Sequence, residues 1–463
     1  MNKFLFADEN PSFNSFFLVA ARRAAILFPL AGIISVSAVD VVKLLVLIFW
    51  LLAGNWGSRI KICKQNPLAL VLVLLVCWTF WGVIQWLFID PNMFFKAVNH
   101  WWSRYSFLCM LILTTLYTDQ KTRTIALSVF NAAMVLFCIN AIFVWNNIMP
   151  KNIPSCFMLF DTITTGVVLV MWSVYWIYYS YQLRNIPIAR RITPVSILLG
   201  MKVAARTSLF GLLFLFNPFS RVKLVLIWAV LFTLVRWGIV ILSTYFVYAV
   251  NPSRTAQLAM TVVIIGGIFA WNWRKGLVVF VILLPFIIVM ASLSNDYFVK
   301  KWKATYNAVN DIITKDVDEI GKIQRDRHWI FAKIIPEIKK KPIAGHGVDV
   351  GFEMVKNILN RDRNIGFAHT HCDFTQMALQ YGLVSVALLI LLLVITIVYA
   401  STIPPPINRF AILLVLIMSI DMMFNVPLYF CRQKFVVMFT LSIIFSEILY
   451  YRSSRITKKI TNE

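Results

Sequence analysis

Three short stretches gather the residue types that do chemistry. Ala368-His369-Thr370-His371-Cys372-Asp373 places two imidazoles, a thiol and a carboxylate within six positions. In an extended chain residues two apart point to one side, so His369 and His371 could chelate a metal. A second close-spaced ligand pair is missing, with only His328 and His346 upstream in the same loop. A general-base or hydrogen-bonding histidine is therefore the favoured reading, and a histidine anchoring a loop at the membrane interface is the plain one. Asn251-Pro252-Ser253-Arg254-Thr255 opens a helix, with Pro252 and Ser253 as its start signals. Arg254 in the first turn opposes the helix dipole. Together with free N–H groups this suits a phosphate-like anion, although an interfacial arginine reaching headgroups fits as well. Gln324-Arg325-Asp326-Arg327-His328-Trp329 offers planar guanidinium forks for phosphate oxygens, and an aromatic to stack on a sugar. Its bland reading is a solvated helix with Asp326 paired to a neighbouring arginine.

The elements that must carry these residues are membrane helices. Hydrophobic residues are 60% of the 463 positions and charged residues 14%, too little charge to cover a soluble surface. The apolar residues run in blocks close to the ~20 positions a helix needs to cross a bilayer. The alternating pattern of a β-barrel is missing. We expect about twelve spans, near 24–38, 41–56, 66–89, 105–118, 125–147, 160–182, 225–250, 256–271, 276–293, 376–400, 410–428 and 435–450. Arg59, Lys61, Lys64, Lys121, Arg123, Arg184, Arg190, Arg191, Arg274, Lys275 and the basic tail fall on one face with the N-terminus. That bias predicts a cytoplasmic location for both termini. It also accounts for the net charge of +24 without a nucleic-acid partner. The seven cysteines follow no ligand spacing.

The chain then divides into spans one to nine over 1–293, a large loop with helices over 294–375, and the last three spans with a tail over 376–463. The loop holds eleven of the twenty acidic residues and is expected outside the cytoplasm, where no ATP is at hand. Ile330, Phe331, Ile334, Ile335 and Ile338 recur at helical spacing and predict a helix resting on the membrane interface. The basic stretch from 184 to 223 reads as surface-lying. Trp101, Trp102 and Arg104 fall in a short outer loop. Arg236 and Asp421 are expected within spans seven and eleven, where charge is costly and usually paired or functional.

In order and spacing these segments resemble the O-antigen ligase and O-antigen polymerase superfamily. Ser253-Arg254-Thr255-Ala256 resembles its S-R-T/G helix start, and Arg325 with Trp329 its R-x-x-x-W segment. Lys341-Pro342-Ile343-Ala344-Gly345-His346-Gly347 resembles its H-P-L-x-G-x-G turn. His371 with Asp373-Phe374, then Gln380-Tyr381-Gly382-Leu383, resembles its H-N-x-x-L and E-x-G-L ending. Cys372 stands in place of the usual Asn and Lys341 in place of the usual His.

The resemblance implies an all-α polytopic membrane protein, a GT-C type glycosyltransferase of a Gram-negative inner membrane with its site on the periplasmic face. The implied donor is an undecaprenyl-diphosphate-linked glycan and the acceptor lipid A–core oligosaccharide, with membrane lipid around both and neither metal nor other cofactor required. His371 becomes the catalytic base, Arg254 and Arg325 the diphosphate-binding pair, and His369, Trp329, Arg327 and Gly347 supporting residues. The polymerase reaction, transfer of glycan to protein, and a transporter without chemistry are the alternatives. The ligase is favoured because one large loop dominates the outer face.

Overall fold

The computed structural model describes residues 13–54, 56–57, 59–60, 66–104, 106–145, 167–174, 238–244, 247, 254–271, 303, 327–348, 354–358, 370–404, 407–428 and 433–462. Among these the regular elements are helices. They are α1 Phe13–Ile34, α2 Val36–Leu52, α3 Pro67–Ile89, α4 Phe94–Arg104, α5 Phe107–Tyr117, α6 Gln120–Trp145, α7 Arg254–Trp271, α8 Arg327–Lys340, α9 Asp373–Ser401, α10 Ile407–Phe424 and α11 Gln433–Asn462. Four carry stretches long and apolar enough to cross a membrane: Phe16–Ile34, Pro67–Ile89, Asp373–Ser401 and Lys434–Arg452. The described residues are those of an all-α membrane protein. The ninth expected span and the stretch 184–223 lie outside the described residues, as does Arg236.

Local chemistry sets the helix starts. Ser35 accepts from the Ala38 N–H and caps α2, and Asn66 accepts from Leu68 before Pro67 opens α3. Asp119 precedes α6 and accepts from both the N–H and the hydroxyl of Thr122. Burial pushes the Asp119 carboxyl up, but those two bonds and the charges of Arg22 and Arg123 outweigh it and hold the carboxyl below its ordinary value.

The interior is filled by α11. Of its apolar window 83% is buried, against 33% for α9, so α11 is central and α9 keeps a lipid-facing side with Leu383, Ile390, Leu391, Val394 and Val398 exposed. Arg123 bridges to Glu447 of α11 at 2.9 Å, pairing charges that would otherwise be costly there. Phe439 stacks against Tyr117 and Phe130.

Three expectations are revised. The short span near 105–118 is the second half of a broken element, because α4 precedes α5 with a break at Ser106. Trp101 of α4 donates to Thr79 of α3 at 3.0 Å and stacks on Phe80, so Trp101, Trp102 and Arg104 sit on a helix alongside α3, not in a loop. The helix expected over the loop isoleucines exists as α8, but Ile330, Ile334 and Ile338 bury against Ala378 and Leu379 of α9 rather than against lipid; Ile335 is the exposed member. Asp421 lies within its helix, as expected. It lies one turn before the end of α10, where Asn425 Nδ2 donates to its carboxylate at 2.6 Å.

Candidate functional site

The site forms where α9 begins. Cys372 is the extended N-cap residue and lends no side-chain bond to the helix. Asp373, wholly buried, opens α9. Its N–H donates to the Asn425 carbonyl at 3.1 Å and its Oδ2 accepts from the Leu428 N–H at 2.9 Å. A carboxylate in the first turn also suits the helix dipole. Asp421, Asn425 and Asp373 thus fasten the end of α10 to the start of α9.

His371 stands at this junction with φ at +56°, the described non-glycine residue in the left-handed region. That conformation costs a residue with a Cβ ~1–2 kcal/mol, so its neighbours must impose it. Thr370 N–H donates to Gln376 Oε1 at 3.0 Å and the Thr370 hydroxyl donates to the Cys372 carbonyl at 2.9 Å. Thr375 Oγ1 lies within hydrogen-bond reach of both Thr370 Oγ1 and the Cys372 carbonyl. Both flanks of His371 are pinned while its own side chain stays partly exposed. The residue is half-buried overall, and its Nε2 is covered by the surrounding protein.

Two turns into α9 the helix breaks. Gly382 takes φ 78° and ψ 175°, and the bonds an unbroken helix would make are exchanged. Leu383 N–H donates to the Pro342 carbonyl at 2.7 Å instead of to Leu379. The freed carbonyls of Leu379 and Gln380 accept from the N–H groups of His346 at 2.8 Å and Gly347 at 2.9 Å. Gln380 Nε2 adds a bond to the Val348 carbonyl at 2.9 Å. The turn 341–348 is therefore laced into the gap in α9, and the Leu383 N–H and the carbonyls of Leu379 and Gln380 find new partners.

Glycine is required on both sides of this lock. A Cβ on Gly382 would fall on the Ile343 carbonyl, and one on Gly345, at φ 69°, would come within 2.5 Å of the Gln380 backbone. From the other side, Trp78 of α3 donates to the Tyr381 carbonyl at 2.9 Å, and Gly82 leaves room for the Tyr381 ring. His346 Nε2 donates to the Glu337 carbonyl at 2.9 Å and holds the end of α8 on the same turn.

Of the residues singled out in the sequence, His371 and Gly347 belong to this assembly. Gly347 acts through its backbone, with its N–H on the Gln380 carbonyl and a φ of 94° that favours glycine, and the Trp86 indole lies at van der Waals distance from where a Cβ would be. Arg254 is the first residue of α7, Arg327 opens α8, and Trp329 lies in its first turn; their side chains are outside the described residues, as are Arg325 and His369 entirely. Sequence reasoning passed over Thr370, Gln376 and Asn425, ordinary polar residues whose roles depend on contacts the sequence does not display. It also passed over the reciprocal fit of Gly345 and Gly382, which neither glycine-containing motif encodes by itself. Among the described residues no three His, Cys, Asp or Glu side chains gather as metal ligands.

Residues 237–390 match the family model described as O-antigen ligase, and this match supports the O-antigen ligase superfamily. The matched region takes in α7, α8, the turn, the His371 junction and the broken helix. No curated protein matches the chain.

Proposed function

We propose, for a chain whose residues 237–390 match the O-antigen ligase family model, that it is the ligase itself. In this reading it transfers a glycan from undecaprenyl diphosphate to lipid A–core oligosaccharide at the periplasmic face of a Gram-negative inner membrane. The observation that carries the proposal is the pinned, left-handed His371 at the head of α9.

The reaction replaces one C–O bond by another. An acceptor hydroxyl oxygen attacks the anomeric carbon, the bond to the diphosphate breaks, and the diphosphate leaves with the electron pair. A hydroxyl is a weak nucleophile until its proton is taken or oriented, and in this reading His371 accepts that proton. Attack opposite the leaving group inverts the anomeric centre. The leaving diphosphate gains negative charge, which Arg254 and Arg325 stabilise. Packing supports bringing Arg254 to this end: Gly266 of α7 lies against Leu413 of α10. In an antiparallel pairing Arg254 is ~18 Å from that contact and Phe424 ~16 Å, at 1.5 Å per residue. Such a pairing would bring position 254 level with the fastened end of α10. No metal or nucleotide takes part in this scheme.

The experiment is complementation of a strain lacking the gene, read as lipopolysaccharide on a gel. Wild type restores the ladder of glycan-bearing species and His371→Ala does not. Capped lipid A–core carrying only a single repeat unit in the deleted strain would instead assign the chain as the polymerase.

A further inference from the structure

The end of α8 and the turn after it bring three consecutive lysines to one edge of the bundle. Lys339 and Lys340 close α8 and Lys341 follows it, and all three are exposed, as are Pro342 and Ile343. Cations in a last turn suit the helix dipole, which accounts for the first two but not for Lys341. The acid paired with this run is Glu337, which meets Lys340 at 2.7 Å. Among the described residues neither Lys339 nor Lys341 has an ion-pair partner. Asp349 and Glu353, the next acids in sequence, lie outside the described residues.

The bond from the Leu383 N–H to the Pro342 carbonyl, at 2.7 Å, fixes where this edge falls along α9. Residues 373–382 include none that is exposed. From Leu383 to Val398 the exposed ones are Leu383, Ala387, Ile390, Leu391, Val394 and Val398, an apolar stripe at helical spacing. Leu383 to Ser401 measures ~27 Å at ~1.5 Å per residue, close to the ~30 Å apolar layer of a bilayer. At the far end the Arg452 guanidinium lies over the Tyr399 ring at 3.9 Å, a cation and an aromatic of the kind that marks a membrane–water interface. The stripe thus fills the apolar layer by itself, and the lysine turn stands at its other edge. Ile343, whose carbonyl sits against Gly382, is 66% exposed at that same edge.

We propose that Lys339 and Lys341 bind the phosphate of an anionic membrane phospholipid whose acyl chains run along the Leu383–Val398 stripe. Basic groups at headgroup level attract anionic lipid, and a lysine stem lies on apolar surface while its ammonium reaches the phosphate. A headgroup with a single phosphate is matched by these two cations while Lys340 stays with Glu337. The lipid bears on the site through the backbone. The Lys341 carbonyl accepts from the Gly345 N–H at 3.0 Å, and the same turn supplies the His346 and Gly347 bonds that close the break in α9. Holding Lys341 therefore holds the lock.

The test uses the purified full-length protein with phosphatidylglycerol and with the zwitterionic phosphatidylcholine as probes. Binding is read by native mass spectrometry, and amide hydrogen exchange is read in nanodiscs of each lipid. Wild type retains phosphatidylglycerol over phosphatidylcholine, and His346, Gly347 and Leu383 exchange more slowly in the phosphatidylglycerol discs. Lys339→Gln with Lys341→Gln weakens phosphatidylglycerol binding by on the order of tenfold, at about fivefold for each basic group near the surface, and removes the difference in exchange. The Lys339→Arg, Lys341→Arg pair keeps both effects, as does Lys356→Gln, which removes an exposed cation from outside the turn. Equal retention of the two lipids by wild type overturns the inference. So does a glutamine variant that binds as tightly as wild type, an equal loss in Lys356→Gln, or exchange that is the same in both discs. None of these readouts involves glycan transfer, so failure here is distinct from failure of the ligase reading.

Discussion

Replacing His371 by glycine separates the chemistry of the imidazole from the conformation it occupies. At φ +56° any residue with a Cβ is strained, while glycine is not. His371→Ala keeps the strain and loses the ring; His371→Gly loses both. The alanine variant should therefore be less stable than the glycine variant by about 1 kcal/mol, the lower end of the left-handed penalty, with glycine's greater unfolded-state entropy subtracting from it. Both lose proton transfer, for which a positioned base supplies ~10²–10⁴-fold. The assays are reversible unfolding in mixed micelles and transfer of glycan by the same preparations. An alanine variant more stable than the glycine variant would refute the claim that flanking bonds force the backbone into this conformation. Transfer at the wild-type rate by either would remove His371 from the chemistry.

Gly382→Ala should dislodge the 341–348 turn, since the new methyl group meets the Ile343 carbonyl. The loss of three backbone bonds at ~1 kcal/mol each gives about 3 kcal/mol, visible as faster hydrogen exchange at His346, Gly347 and Leu383. Unchanged exchange there would contradict the lock. Arg254→Ala and Arg325→Ala should each abolish transfer with normal membrane abundance, and Arg254→Lys should not restore full activity, because an ammonium lacks the planar fork; a fully active alanine variant would exclude that residue. Asp119→Ala should cost about 1 kcal/mol at neutral pH as a lost cap. Because its folded carboxyl is held below the ordinary 3.8, this contribution is present above that value and fades as pH falls through the folded pKa. A penalty that grows on acidification, measured by thermal unfolding across pH, would reverse the assignment.

Much of the architecture was legible because membrane helices announce themselves by length and apolarity. The expected 66–89, 376–400 and 410–428 spans correspond to α3, α9 and α10. Legibility failed where the hydropathy signal is mixed. Alternating polar residues hide α4, whose amphipathic pattern averages out in a hydropathy window, and Arg22 and Arg23 mask the first part of α1, which begins at Phe13. In the site, His371 was recognisable from its neighbours and from the family pattern. Its left-handed backbone was not, because it arises from Thr370, Gln376 and Cys372 acting together. The two glycine motifs were visible separately. That each fills the space left by the other's missing Cβ is a tertiary fact, and no spacing within either motif encodes it. Asp421 is legible as a charge within an apolar helix, but its partner Asn425, just past the end of α10, is not.

The most direct measurement is transfer by the purified protein supplied with undecaprenyl-diphosphate-linked glycan and lipid A–core, with the products resolved by mass. The wild-type protein should yield glycan-bearing lipid A–core with inverted anomeric linkage and release undecaprenyl diphosphate, at a rate indifferent to chelator. The His371→Ala protein should yield almost none. Glycan extended only on its lipid carrier, inhibition by chelator reversed by zinc, or a His371→Ala enzyme as active as wild type would contradict the account.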